Sequence, residues 1–137
     1  MPRSVVTDPT APAPVGPYSH AASGFGDLLY LSGQTPIDPA TGSLIDGGIA
    51  LQAERVFSNL ASVLAAAKLG LADVVKVNVY LIDMADFAAM NSVYATVFSP
   101  PYPARTTVAV AGLPLGAGIE VELVAATGAR GGGPRAA

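Results

Sequence analysis

The chain has 137 residues, no cysteine, one histidine and a formal net charge of −3. That length suits one domain with a core of its own, and the lack of cysteine excludes a disulfide framework, a thiolate metal site and a cysteine nucleophile. Arg3, Arg130 and Arg135 lie in the terminal segments, so the body sets four basic against ten acidic residues, a net charge of −6. It has no basic stripe of the kind a general nucleic-acid binder needs.

Hydrophobic residues make up 51% of the chain and charged residues only 12%. So apolar a small domain is expected to bury surface against copies of itself. "MPRSVVTDPTAPAP" has no apolar core of signal-peptide length, and no run reaches the length of a membrane span. A soluble, cytoplasmic protein is the simplest expectation.

In chain order, "RSVVT" (3–7) reads as a short strand, and the Pro-rich "DPTAPAPVGP" cannot form a regular element. "YSHAASGFGDLLYLSG" reads as two strands hairpinned around "GFGD". "QTPIDPATGSLIDGG" reads as a loop with turn signals at "DPATG". From Ile49 to about Leu69 the apolar residues Ile49, Ala53, Val56, Phe57, Leu60, Val63, Leu64 and Ala67 recur at three and four. This is an amphipathic helix, and Gly70 is its expected stop.

"DVVKVNVYLID" alternates as a strand, and "MADFAAMNSVYATVF" returns to helical spacing until the prolines at 100, 101 and 103. "ARTTVAVAG" and "GIEVELVAA" are two further strands. The tail from 129 to 137 is Gly-rich and is expected to be disordered, leaving 1–128 as a single domain. The order β-β-β-α-β-α-β-β predicts an α+β fold: a six-stranded, mostly antiparallel sheet with both helices on one face. Alternation then assigns Val108 and Val110 to the helix-covered side. It gathers Tyr30, Ser32, Lys76, Asn78, Tyr80, Arg105, Thr107, Glu120 and Glu122 on the open side.

Arg105 stands at the start of an apolar strand in "SPPYPARTTVAV". It suits either a fork for a substrate carboxylate or a salt bridge to Glu120 or Glu122. Glu120 and Glu122 are two apart in a strand and share a face. They suit water activation or a solvated strand surface. Asn91 lies in line with Phe87, Tyr94 and Phe98 and needs a partner, the bland one being a loop carbonyl. Ser32 and Tyr18 border turns and can serve a ligand or the turn itself. His20, the single histidine, reads as structural, since neither a metal site nor a Ser-His triad has partners for it.

The blocks "APAPVGPYSHA", "LYLSGQTPIDPATG", "NSVYATVF", "PYPARTTVAVAGLP" and "IEVELVA" closely resemble, in order and spacing, the RidA family, also called the YjgF/YER057c/UK114 family. The likeness runs from about Val5 to Ala126. It implies a chorismate-mutase-like fold and a homotrimer with clefts between subunits. It also implies a cofactor-free deaminase, without metal, that turns enamines and imines of the 2-aminoacrylate type into 2-keto acids and ammonia. By the same resemblance Arg105 would bind the small-molecule carboxylate and Glu120 would position the attacking water. Tyr18, Ser32, Asn91 and Thr107 would line the substrate pocket. Thr107 stands where well-known members often carry cysteine, and "VAGLPLGAG" lacks basic residues that some members place there. Alternatives are a deaminase of a larger amino-diene acid, a non-catalytic 2-keto-acid-binding or holdase-like trimer, and a ribonuclease or translation inhibitor, to which the acidic body is poorly suited.

Overall fold

Two segments with unbroken apolar alternation, Val74–Leu81 and Ile119–Ala126, form the middle of the sheet. The computed structural model describes residues 3–130. Among them the order is β1 (Ser4–Val6), β2 (Ala21–Ser23), β3 (Leu28–Gln34), β4 (Ile37–Asp38), β5 (Ser43–Leu44), α1 (Ile49–Ala66), β6 (Val74–Leu81), α2 (Phe87–Val97), β7 (Ala104–Ala109) and β8 (Ile119–Ala126). The main sheet has four strands in the order β3-β8-β6-β7. β8 is antiparallel to β3 and β6, whereas β7 runs parallel to β6. A parallel pair needs a crossover element, and α2 supplies it.

The expected six-stranded sheet is therefore a mixed four-stranded sheet with two small ribbons beside it, β1-β2 and β4-β5. The expected hairpin around "GFGD" does not form, because that stretch is claimed by the end of β8. Asp27 N–H donates to Ala129 O (2.8 Å), Thr127 N–H to Asp27 O (2.8 Å) and Gly128 N–H to Phe25 O (2.7 Å). Gly26 has φ +99°, and a Cβ there would fall 2.4 Å from Ala129 N, so both shape and space require glycine. Ala129 and Arg130 thus pack on this turn, Arg130 over the Phe25 ring at 5.1 Å. The rest of the expected tail, 131–137, lies outside the described residues.

Both helices cover one face. Ala53, Val56, Phe57, Leu60 and Leu64 of α1 and Met90, Val93 and Tyr94 of α2 are buried against Leu31, Val77, Val79, Leu81, Ile119, Val121 and Leu123 of the sheet. Val63, expected in the α1 stripe, is 42% exposed at its edge. The helix stops earlier than expected, and a lysine stops it. Lys68 has φ 60°, with Lys68 N–H on Ala65 O (2.9 Å) and Leu69 N–H on Leu64 O (2.9 Å). That pair of bonds is a Schellman termination, with Leu69 packed back on the core and Lys68 in the left-handed position usually held by glycine. No helix among the described residues is long and apolar enough to cross a membrane.

One expected face assignment is reversed. In the β6-β7 register Val77 stands opposite Arg105, Val79 opposite Thr107 and Tyr80 opposite Val108. Val77 and Val79 are fully buried under the helices, so Arg105 and Thr107 leave their strand on the helix side. Val108 points to the open side and is 41% exposed. The alternation in "ARTTVAV" is real, but Val108 faces outward with Thr106, and Arg105 and Thr107 face inward. The reason is local: above Arg105 the helix layer offers aromatic rings and an amide instead of aliphatic side chains, and a guanidinium packs well against those.

Arg3 is the second surprise. It is only 8% exposed, though it is the first residue described. Its guanidinium donates to Pro101 O (2.6 Å), Leu71 O (2.9 Å), Ala72 O (3.0 Å), Val74 O (3.1 Å) and Ser99 O (3.2 Å). It also lies over the Phe98 ring at 5.7 Å. One side chain thus satisfies carbonyls from both the start of β6 and the end of α2.

Candidate active site

The helix-side pole of the site is built from β7, α2 and the loop before β2. Arg105 Nη1 donates to Asn91 Oδ1 (2.6 Å). The guanidinium carbon sits 4.7 Å from the ring centroid of Tyr94, 5.5 Å from that of Tyr18 and 5.6 Å from that of Phe87. Phe87, Asn91 and Tyr94 lie four and three apart on α2 and so share one helix face. Partial burial weakens the hold of Arg105 on its proton, lowering its pKa from a very high starting value while leaving it charged.

The third ring comes from the Pro-rich loop. Ser19 ties that loop down: its N–H donates to Pro103 O (3.1 Å) and its hydroxyl to Tyr102 O. Gly16 lies so close that a Cβ there would stand 3.4 Å from both Arg105 Nη2 and Asn91 Nδ2. The Tyr18 hydroxyl accepts from Val15 N–H (3.2 Å) and keeps its own proton to give. His20 braces the same loop, accepting from Asp8 N–H at Nδ1 (3.0 Å) and standing 2.7 Å from Pro12 O through Nε2. These partners fit the tautomer protonated at Nε2 and a structural role.

Two hydroxyls near this pole are buried without a partner among the described residues, Tyr94 Oη and Thr107 Oγ1. Burial pushes the Tyr94 phenol far up, beyond any physiological titration, with Arg105 and Arg3 opposing the shift.

The open-face pole is built from β8, β6, β3 and the loop after β7. Tyr80 stands opposite Glu120 in the register and Asn78 opposite Glu122. The Tyr80 hydroxyl donates to Glu122 Oε1, which pushes the phenol pKa up. Glu120 lies over Gly33, where a Cβ would fall 2.2 Å from its Oε2. Gly33 sits at an irregularity in the β3-β8 register between Leu31 and Gln34. A cavity of about 270 Å³ opens here between the two glutamates and the loop that follows β7.

Of the residues expected to form the site, Arg105, Asn91 and Tyr18 come together, with Thr107 two residues along the same side of β7. Glu120 stands on the other face of the sheet, and Ser32 is exposed beside Gly33 on the edge strand β3. The rival salt bridge from Arg105 to Glu120 or Glu122 within one chain is excluded by that geometry. Asn91 has a side-chain partner, not the loop carbonyl. The reading of single residues missed Tyr94 and Phe87 as walls and Gly16 and Gly33 as sites of close approach. The signals were there: both aromatics share the Asn91 line, and the glycines sit inside "GPY" and "SGQ". Among the described residues no group of three or more His, Cys, Asp or Glu is placed to hold a metal ion.

The comparisons with known proteins agree on the ancestry of this arrangement. The family model described as Endoribonuclease L-PSP matches residues 9–127. A RutC family protein of Pyrococcus horikoshii is 46% identical over 123 residues, covering 90% of this chain and 97% of that one. The 2-iminobutanoate/2-iminopropanoate deaminase of Mus musculus is 40% identical over 126 residues, covering 92% and 93%. The crystal structure of RidA from an Antarctic Psychrobacter superposes with a TM-score of 0.71 at 44% identity, covering 90% and 98%. The chain belongs to the Endoribonuclease L-PSP family, the family of RidA.

Proposed function

We propose that the protein hydrolyses reactive enamines and imines of the 2-aminoacrylate type to 2-keto acids and ammonia, without a cofactor, in a homotrimer with active sites between subunits. The observation that carries this reading is Arg105: a charged fork among three aromatic rings whose one side-chain hydrogen bond, among the described residues, goes to a neutral amide. A guanidinium held in this way is ready for a ligand carboxylate. Relatives about 40% identical carry the name of an imine deaminase, which supports the choice of ligand.

The two poles are complementary. One carries a cation and the other two acids, neither in a salt bridge among the described residues (Lys76, on the open side, is bonded to Thr106), and they face opposite sides of the sheet. A neighbouring copy laid on the open face would bring its Arg105 pole toward this chain's Glu120. Tyr30, 73% exposed, and Val108, 41% exposed, supply apolar area for that contact.

In such a cleft the enamine tautomerises to an imine with an electrophilic C2. Arg105 holds the carboxylate beside it, with Tyr18, Asn91, Thr107 and Ser32 lining the pocket. A water oriented by Glu120 of the neighbour adds to C2, giving a carbinolamine. Proton transfer to nitrogen and collapse of the C–N bond release ammonia and leave the keto acid. The catalysis is positioning and charge placement.

The test couples the protein to a dehydratase that releases 2-aminoacrylate and follows pyruvate formation. Acceleration is expected from the parent, and Arg105→Lys should lose roughly 10–100-fold in kcat/KM, because a point charge cannot make two parallel bonds. No acceleration by the parent protein would overturn the reading. The family model's description suggests a ribonuclease instead, and the body charge of −6 counts against it. RNA binding with a steep salt dependence would count for it.

A further inference from the structure

The loop that leads to Tyr18 carries prolines at 9, 12, 14 and 17. Each removes a backbone N–H, so the loop has few donors with which to hold itself to the fold. Among the described residues, the hydrogen bonds that tie 8–14 to chain outside that segment both end on one side chain, His20. Asp8 N–H donates to Nδ1 (3.0 Å), and Nε2 stands 2.7 Å from Pro12 O. An amide N–H can only donate and a proline carbonyl can only accept. The pair therefore needs a neutral ring with its proton on Nε2.

The far end of the loop is a wall of the Arg105 pole. The Tyr18 ring lies 5.5 Å from the guanidinium carbon, and a Cβ on Gly16 would stand 3.4 Å from Arg105 Nη2. Ser19 fixes the downstream base of the loop to Pro103 and Tyr102, just before β7. His20 is the next residue and joins the upstream limb to that same base. Residues 15–18 are thus held over Arg105 from both ends.

We infer that His20 is a positioning residue for the Arg105 site: in its neutral form alone it closes the loop that places Tyr18 and Gly16 against the guanidinium. Protonation puts an N–H on Nδ1, facing the N–H of Asp8, so one hydrogen bond is lost and two donors are opposed. Asp8 is the charged group coupled to the ring. Its Oδ1 is taken by Thr10 N–H (2.8 Å) and Thr10 Oγ1 (2.8 Å). It attracts an imidazolium, but its own N–H still loses an acceptor. Histidine is the side chain that ordinarily changes charge between about pH 5 and 8. The loop should therefore loosen as pH falls through that range. This rests on the proposed carboxylate site at Arg105 and adds a pH dependence to it.

The experiment uses glutamine, which offers one acceptor and one donor and does not titrate. Backbone order parameters of residues 15–18 and the Kd of 2-oxobutanoate are measured at about pH 5.5 and 8. In the parent, 2-oxobutanoate should bind about three- to tenfold more weakly at the lower pH, and the order of 15–18 should fall with it. His20→Gln should keep both closer to the values at the higher pH. His20→Ala should show weak binding and low order at both. All other titrating groups are common to the parent and His20→Gln, so the difference between them reports on His20. Each variant is first checked for the parental assembly mass and thermal midpoint. Equal pH dependence in the parent and His20→Gln overturns the inference, as does parental binding by His20→Ala at the higher pH. Absence of 2-oxobutanoate binding at both pH values, with the expected changes in loop order, overturns the carboxylate site and leaves the closure by His20 standing.

Discussion

Arg105 leaves its strand on the helix-covered face of the sheet, and Glu120 leaves its own on the open face, with β6 between the two strands. No rotamer change carries one to the other through a packed core. If both residues serve one reaction, they belong to different copies of the chain. This gives a sharp test of site composition. Arg105→Ala and Glu120→Gln should each be inactive as homogeneous assemblies. After unfolding and refolding of an equal mixture, about a quarter of the sites would join an intact Arg105 to an intact Glu120, so about a quarter of the parental activity should return. A site within one chain predicts no recovery at all.

Asn91 decides whether the Arg105 pole keeps its charge for a ligand. It accepts from Nη1 without neutralising the guanidinium. Asn91→Asp is nearly isosteric and puts a carboxylate within hydrogen-bond reach, which turns an anion site into a closed ion pair. Binding of 2-oxobutanoate, measured by calorimetry, should weaken at least about tenfold. Asn91→Ala, which loses the anchor but adds no charge, should weaken it less. Equal losses from the two variants would mean that Asn91 acts by position alone.

The sequence pattern carried the parts of this fold that depend on periodicity. Both helices, the strands at 74–81 and 119–126 and the one-sided helix layer follow from apolar spacing in segments long enough to average out exceptions. It misled where a few residues decide. "ARTTVAV" alternates with either face inward, and only the register against Val77 and Val79 chooses. "GFGD" has hairpin chemistry, but the end of β8 takes its hydrogen bonds. Lys68 took the left-handed place expected of Gly70. Each of these choices is made by a partner distant in sequence. The same holds for the site: the residue types were legible, but the separation of Arg105 from Glu120 needed the strand order.

Gly33 makes room for a functional group, and this can be tested without touching that group. Its φ is outside the left-handed region, so alanine is compatible with the backbone; the obstacle is the Glu120 carboxylate, 2.2 Å from a Cβ at that position. Gly33→Ala must push that carboxylate aside. The variant should fold and assemble normally, and kcat should fall at least about tenfold. Binding of 2-oxobutanoate, which depends on Arg105, should change much less. A parallel loss of both would place the damage in the strand and not in Glu120.

Arg3 joins the N-terminus to the end of α2 and the start of β6 with one guanidinium and five carbonyl acceptors. Among the described residues no carboxylate is hydrogen-bonded to it, and Asp73 acts on it only through its charge. Desolvation lowers its pKa, yet an arginine remains charged at any ordinary pH, so the interaction has no titration between pH 5 and 9. Truncation to alanine strips partners from carbonyls that are partly closed off from water. The expected loss is about 2–4 kcal/mol of unfolding free energy, read from the urea midpoint at constant m. Arg3→Lys should recover only part of it, because three donors on a flexible stem cannot reach carbonyls fanned around a planar fork. The cation–π contact with Phe98, and through that ring the Tyr94 wall under Arg105, also depends on this anchor. Arg3→Ala should therefore raise KM modestly, by about two- to fivefold, even at temperatures where the protein stays folded. A full stability loss with unchanged KM would show that the stack carries no strain to the site.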